Sequence, residues 1–197
     1  MSRYSDYDVY FDPDSGVLKN RFGITDAQLL EATEADLVAS RSRELALKPL
    51  VGDFDLAHLK AIHRYLFGDI YEWAGQLRTV DISKGNNHFA HHSHIKSAAE
   101  SILKRLADEK HLAGLDARSF GIRAAHYLGE LNALHPFREG NGRAQRELIS
   151  HLAHRNGYYI VWEQVTQPVL LQASIASFHG DLAPLERVIL NILQPLE

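Results

Sequence analysis

Between His135 and Arg146 the chain reads HPFREGNGRAQR, a stretch crowded with residue types that handle anions and protons. His135 directly precedes Pro136, and a residue before proline is pushed out of the helical region. A helix should therefore end at Leu134 or His135, with the imidazole at its exit. Asn141, a favoured N-cap type, should open the next helix. Arg143 and Arg146 then fall in that helix's first turns, where the dipole disfavours a cation by up to about 1 kcal/mol. A surface pair between Arg143 and Glu147 would have the weaker i, i+4 orientation. A bound anion reverses the sign. Free N–H groups, the dipole and two guanidinium forks would all converge on a phosphate chain. Gly140 and Gly142 let the backbone come close without a Cβ in the way.

An acid beside a phosphate repels it, so Glu139 asks for a cation, and Mg²⁺ takes one or two carboxylates together with phosphate oxygens. His135 is the one neutral-pH proton acceptor in the loop. Phe137 has no task in phosphate chemistry and is expected to anchor the loop in the core. Together these residues describe phosphoryl or nucleotidyl transfer, with a base on an incoming hydroxyl and positive groups on the phosphates. Blander readings stand beside this one: a plain interhelical loop, and His135 as a helix C-cap. A helix C-terminus also raises a histidine's pKa, which works against a general base.

The elements that must hold this loop are mostly helical. Thr25 opens TDAQLLEATEADLVASRSRELAL, with apolar residues at Leu29, Leu30, Leu37 and Leu45. DLAHLKAIHRYLFG carries Leu56, Leu59, Ile62 and Leu66 on one side and stops at Gly68. SHIKSAAESILKRLADEKHLAG puts Ile95, Ala99, Ile102 and Leu106 on one stripe, from a serine to Gly114. DARSFGIRAAHYLGELNALHP repeats the pattern. Further helices are expected from Arg143 to His154, from about Val169 to Phe178 and near the C-terminus. RTVDISKGNNHFAH breaks the rhythm: Val80 and Ile82 alternate, KGNN turns and Phe89 follows, which reads as a β-hairpin. The expectation is an all-α, compact helical domain with one hairpin. An irregular arm over residues 1–22, packed by its tyrosines and Phe11, precedes a single domain over residues 23–197.

The totals agree. The 197 residues are 45% hydrophobic and 23% charged, with a formal net charge of −4, which offers no basic field for nucleic acid. There is no cysteine, so disulfides, thiolate metal sites and cysteine nucleophiles are excluded. No apolar run approaches the roughly 20 residues that span a membrane. The start has no signal-peptide core, and the reading is a cytoplasmic protein. HFAHHSH gathers His88, His91, His92 and His94 without the spacing of a zinc motif. His63, His126 and His151 lie in helices and read as packed or solvated. NGYYIVWEQV is an apolar run, strand-like or irregular.

HPFREGNGRAQR resembles, at every fixed position, the signature of Fic-domain proteins: His-Pro-Phe-x-(Asp/Glu)-Gly-Asn-Gly-Arg-x-x-Arg. LFGDIYEWAGQLRTVDISKG resembles the family's approach to its flap, and GELNALHPF its entrance to the motif. The resemblance implies the Fic fold and protein adenylylation, in which AMP passes from ATP to a Tyr, Thr or Ser hydroxyl. By that resemblance His135 is the base and Glu139 holds Mg²⁺. Gly140, Asn141 and Gly142 cradle the anion, with the Asn141 side chain on phosphate. Arg143 meets the β-phosphate and Arg146 the γ-phosphate. The hairpin is a flap that registers the target, through Lys84, Gly85 and Phe89; a purely structural hairpin is the alternative.

Many family members carry an inhibitory Ser/Thr-x-x-x-Glu-Gly/Asn helix. The nearest approach here runs from Ser40 to Glu44 and is followed by Leu45, so no built-in inhibitor is expected. The resemblance to compact bacterial members implies a separate antitoxin that sets a glutamate against Arg146, with DNA gyrase (its GyrB chain) and the ParE chain of topoisomerase IV as targets. A Fic-fold enzyme transferring phosphate or phosphocholine, and a non-catalytic nucleotide-binding module, are the alternatives.

Overall fold

A computed structural model describes residues 8–85 and 87–196. Tyr4 and Tyr7 of the expected arm, and Asn86 of the expected turn, lie outside the described residues. The helices are α1 (Ala27–Leu47), α2 (Leu56–Phe67), α3 (Ile95–Asp108), α4 (Ala117–Leu134), α5 (Asn141–Arg155), α6 (Gln167–Phe178) and α7 (Ala183–Ile192). None among the described residues is long and apolar enough to cross a membrane.

Aspartates start three of these helices. Asp26 accepts from Leu29 N–H, Asp55 from His58 N–H and Asp116 from Ser119 N–H. Such caps each contribute about 1 kcal/mol. The first of them puts the cap of α1 one residue after the expected Thr25. α3 ends at Asp108, short of the expected Gly114, because Lys110, His111 and Leu112 all adopt positive φ. That turn buries Leu112.

α4 is the centre of the domain and packs on α3, α5, α6 and α7. Its Phe120, Ala124, Ala125 and Leu131 are fully buried. Truncating Leu131 to Ala would cost about 2–5 kcal/mol. α5 lies between α4 and α2, so the His135–Gly140 loop is held on both flanks.

Two small sheets interrupt the helices, where one hairpin was expected. β1 (Ser83–Lys84) pairs antiparallel with β2 (Asn87–His88), and Phe89 N–H extends the ladder to Ile82 O. β3 (Tyr158–Ile160) pairs antiparallel with β4 (Leu193–Pro195). The run at Tyr158 reads from the sequence as strand-like or irregular, and a three-residue partner at the far end of the chain carries no periodic signal to decide between them. In the arm, the Asp12 carboxylate collects the Ser15 N–H and hydroxyl, Phe11 bridges to Leu18, and Tyr10 is buried edge-on to Trp73.

Candidate active site

His135 leaves α4 in the left-handed region, at φ 49° and ψ 64°, and Pro136 follows. Its Nδ1 lies 3.0 Å from Asn132 O, a contact that requires Nδ1 to carry the proton. Nε2 is therefore the lone-pair nitrogen. It is buried and has no hydrogen-bond partner among the described residues. Phe89 stacks over the ring at 3.9 Å. Burial first, and then the Lys84 cation, push the His135 pKa down to about 4, although Asn132 O and Glu139 pull the other way. The imidazole is thus neutral at neutral pH, and the opposing effect expected of the helix end is overcome.

The loop that follows is held from inside. Phe137 is fully buried and stacks on His63 at 3.9 Å. His63 Nδ1 accepts from Gly75 N–H, so its Nε2 donates to Glu139 O at 2.9 Å. His63, read from the sequence as an ordinary helical histidine, is thus a strut of the loop; its partners lie too far along the chain for any local pattern to show them. The buried Arg78 donates to His135 O, Leu134 O, Val80 O and Ala90 O, tying the histidine's backbone to both ends of the hairpin. Arg138 pairs with Asp8 at 2.8 Å, which fastens the arm to the loop.

Asn141 was expected to cap α5. Instead Gly140, at φ +77°, is the capping residue and Asn141 the first helical one. The Asn141 amide accepts from Phe137 N–H at 2.7 Å and donates to Phe137 O at 2.8 Å. This closed pair fixes the loop's curvature. No side chain caps α5, and Gly140 O already accepts from Ala144 N–H. The N–H groups of Asn141, Gly142 and Arg143 thus have no place in the helix ladder and are open to an anion.

Glu139 Oε1 accepts from Gly140 N–H at 2.9 Å and lies 3.9 Å from Arg143 Nη2. Burial alone would raise its pKa, but Lys84, the Gly140 N–H, Arg143 and His135 outweigh it and hold the carboxyl below the usual range. Arg143 stacks on Phe67 and pairs with Glu34 of α1 rather than with Glu147. Glu34 was missed, because it reads as one more acid on an acidic helix. Arg146 lies over Trp162 at 5.8 Å and makes no ion pair among the described residues. Lys84 is exposed at the hairpin and Gly85, at φ +59°, makes its turn. His135, Glu139, Arg143, Arg146, Lys84 and Phe89 line one open cleft of about 1130 Å³, bounded on the far side by α1 and α6; Gly85 is not part of its lining.

The histidine cluster lies apart from them. Asp81, His91 and His92 bring donor atoms within 4.8 Å of one another. The Asp81 carboxylate takes the His92 N–H and lies near both rings, at 3.1 and 3.3 Å.

A loop between two helices thus frees backbone donors on a helical scaffold, with a neutral imidazole at one end and two arginines at the other. The chain belongs to the Fic/DOC family, whose model matches residues 53–153. It is 52% identical over 174 residues to the protein adenylyltransferase VbhT of Bartonella schoenbuchensis, covering 88% of this chain but 36% of that protein. It is 38% identical to the Escherichia coli protein named "Probable protein adenylyltransferase Fic", covering 94% of this chain and 92% of that one. Among solved structures, the Fic domain of a Bartonella quintana effector with bound ADP superposes with a TM-score of 0.92 at 31% identity, over 96% of each chain. BepC of Bartonella tribocorum with bound AMPPNP gives 0.92 at 27% identity, over 98% of this chain and 100% of that one.

Proposed function

We propose that this protein is a protein adenylyltransferase that moves AMP from ATP to a hydroxyl side chain of a target protein. One observation carries the reading: His135 lines the cleft and keeps a neutral Nε2 with no hydrogen-bond partner among the described residues, its tautomer set by Asn132 O. Relatives named protein adenylyltransferase, at 38% and 52% identity, support it. So do the nucleotides ADP and AMPPNP in the neighbouring structures.

Nε2 of His135 takes the proton as the target oxygen attacks the α-phosphorus, and the bond to pyrophosphate breaks. The open N–H groups of α5 and the Arg143 and Arg146 guanidiniums bind the β- and γ-phosphates and the departing charge. Glu139 fits Mg²⁺: it is an ionised carboxylate whose Oε2 has no hydrogen bond among the described residues. A bound Mg²⁺ would neutralise phosphate charge there. Asn141 and Phe137 keep the loop in shape, and Gly140 and Gly142 keep it open.

The β1–β2 hairpin is the surface on which a target segment would register, through Lys84 and Gly85, with Phe89 beside the base. The targets proposed are GyrB of DNA gyrase and ParE of topoisomerase IV, in the cytoplasm. Arg146, which makes no ion pair among the described residues, is where a separate antitoxin would place its glutamate. These last readings rest on the resemblance to compact bacterial Fic proteins.

The test is incubation with Mg²⁺, bacterial lysate and ATP labelled in the α-phosphate. A labelled protein band that disappears with His135→Ala, while ATP binding persists, is the expected result. Label transferred from the γ-phosphate instead would make the enzyme a kinase. Expression alone should arrest bacterial growth; normal growth with soluble, ATP-binding protein would count against the toxin reading.

A further inference from the structure

α1 buries a stripe made of Leu30, Glu34, Val38 and Leu45. Three of the four are apolar, and the fourth is a carboxylate only 8% exposed. A buried charge is costly unless it is paired and hydrogen-bonded. Glu34 is both. The Tyr71 hydroxyl donates to Oε2, and Arg143 Nη2 donates to Oε1 at 2.5 Å. Tyr71 is itself buried, stacked on Trp73 at 4.4 Å, so the hydroxyl comes from a rigid ring.

The Arg143 guanidinium is consequently fixed on two sides. Its face rests 4.7 Å from the centre of the Phe67 ring, and one edge is bonded to Glu34. The rest of its fork remains open to the cleft, with the side chain 29% exposed. An arginine on a free stem would have to lose rotamer freedom to meet a phosphate; one already clamped loses less. Glu34 lies in α1, outside residues 53–153, and 109 positions from its partner.

We infer that Glu34, backed by Tyr71, is a positioning residue that aims Arg143 at the β-phosphate of the nucleotide. This rests on the phosphate-binding reading of Arg143 given above. A competing consequence of the same contact would be that Glu34 occupies the arginine and weakens phosphate binding. The two differ in sign.

The experiment compares ADP with AMP, which differ by the β-phosphate, by titration calorimetry on the whole chain with Mg²⁺ present. Wild type, Glu34→Gln, Glu34→Asp, Tyr71→Phe and Arg143→Ala are measured. In Glu34→Gln the preference for ADP over AMP should fall by on the order of tenfold, as for loss of a charge-assisted phosphate contact. AMP affinity should stay near wild type, which a general loosening of the fold would not permit. Glu34→Asp should recover part of the preference. Tyr71→Phe, which removes one hydroxyl from a ring that still packs, should lower it by less and serves if Glu34→Gln does not fold. An unchanged ADP preference, or tighter ADP binding, in both Glu34→Gln and Tyr71→Phe overturns the inference. If Arg143→Ala still lowers the preference in that case, the phosphate reading of Arg143 survives alone. If Arg143→Ala leaves it unchanged, both fall.

Discussion

Phe89 of the hairpin lies parallel to His135, with ring centroids 3.9 Å apart and an interplanar angle of 17°. The residue that follows β2 is thus also a lid on the His135 imidazole. It helps to exclude water from an imidazole whose depressed pKa comes chiefly from burial. Phe89→Ala should therefore raise the His135 pKa from about 4 towards the ordinary 6.5. Histidine NMR titration reads this directly. In wild type the pH dependence of kcat/KM should show no break near 6.5; in Phe89→Ala an acid limb should move up into that range.

Lys84 acts on the same ring by charge. It is the second cause, after burial, of the low His135 pKa, and among the cations that keep Glu139 ionised. Lys84→Met should raise both pKa values. Salt should weaken the effect in wild type, since Lys84 is exposed. An NMR titration of His135 that is identical in Lys84→Met would refute the electrostatic assignment.

Buried histidines make the fold sensitive to acid, three of them most strongly. Burial holds His63, His135 and His151 each down to about 4. In the unfolded chain they would take up protons near pH 6.5, which the folded chain refuses until about 4. Stability contributed by the neutral rings is therefore complete above pH 6.5 and lost as pH falls from there towards 4. The limiting slope is about 1.4 kcal/mol per pH unit for each histidine. Urea unfolding between pH 7 and about 4.5 should show stability declining faster than in a His151→Gln variant.

Gly140 stands where no other residue fits. Its φ is +77°, and an added Cβ would sit 2.3 Å from Phe67 Cζ. Gly140→Ala should destabilise the protein by about 2 kcal/mol or more, from strain and overpacking together. Adding Phe67→Ala should relieve the clash but not the strained φ, so the double variant should lose less than the sum of the two single losses. Additive losses in thermal unfolding would disprove the contact.

Arg78 offers a test of the link between hairpin and loop. Its guanidinium feeds four carbonyls from two segments, a geometry that a lysine ammonium does not reproduce. Arg78→Lys should leave buried carbonyls unpaired and cost at least about 2 kcal/mol, measured by urea unfolding.

The motif from His135 to Arg146 was readable because its glycines, arginines and histidine are adjacent in sequence and each has a local physical consequence. The helices were readable for the same reason, since a 3.6-residue period and an aspartate cap are local facts. Their ends were less so: Asp26 displaced Thr25, and Gly140 displaced Asn141 as the cap, because the Asn141 side chain turned back to Phe137.

The sequence by itself determined that a neutral-pH base, an acid, two cations and an open helix start would share one short loop. Only the tertiary structure decided what holds them. The Glu34–Arg143 pair, the His63–Glu139 bond, the Arg78 clamp and the Phe89 lid each join residues from separate elements. Nothing in a local period encodes such contacts. They arise when α1, α2 and the hairpin are brought against the loop by burial of their apolar faces, a non-directional force that fixes partners only through the geometry of the whole.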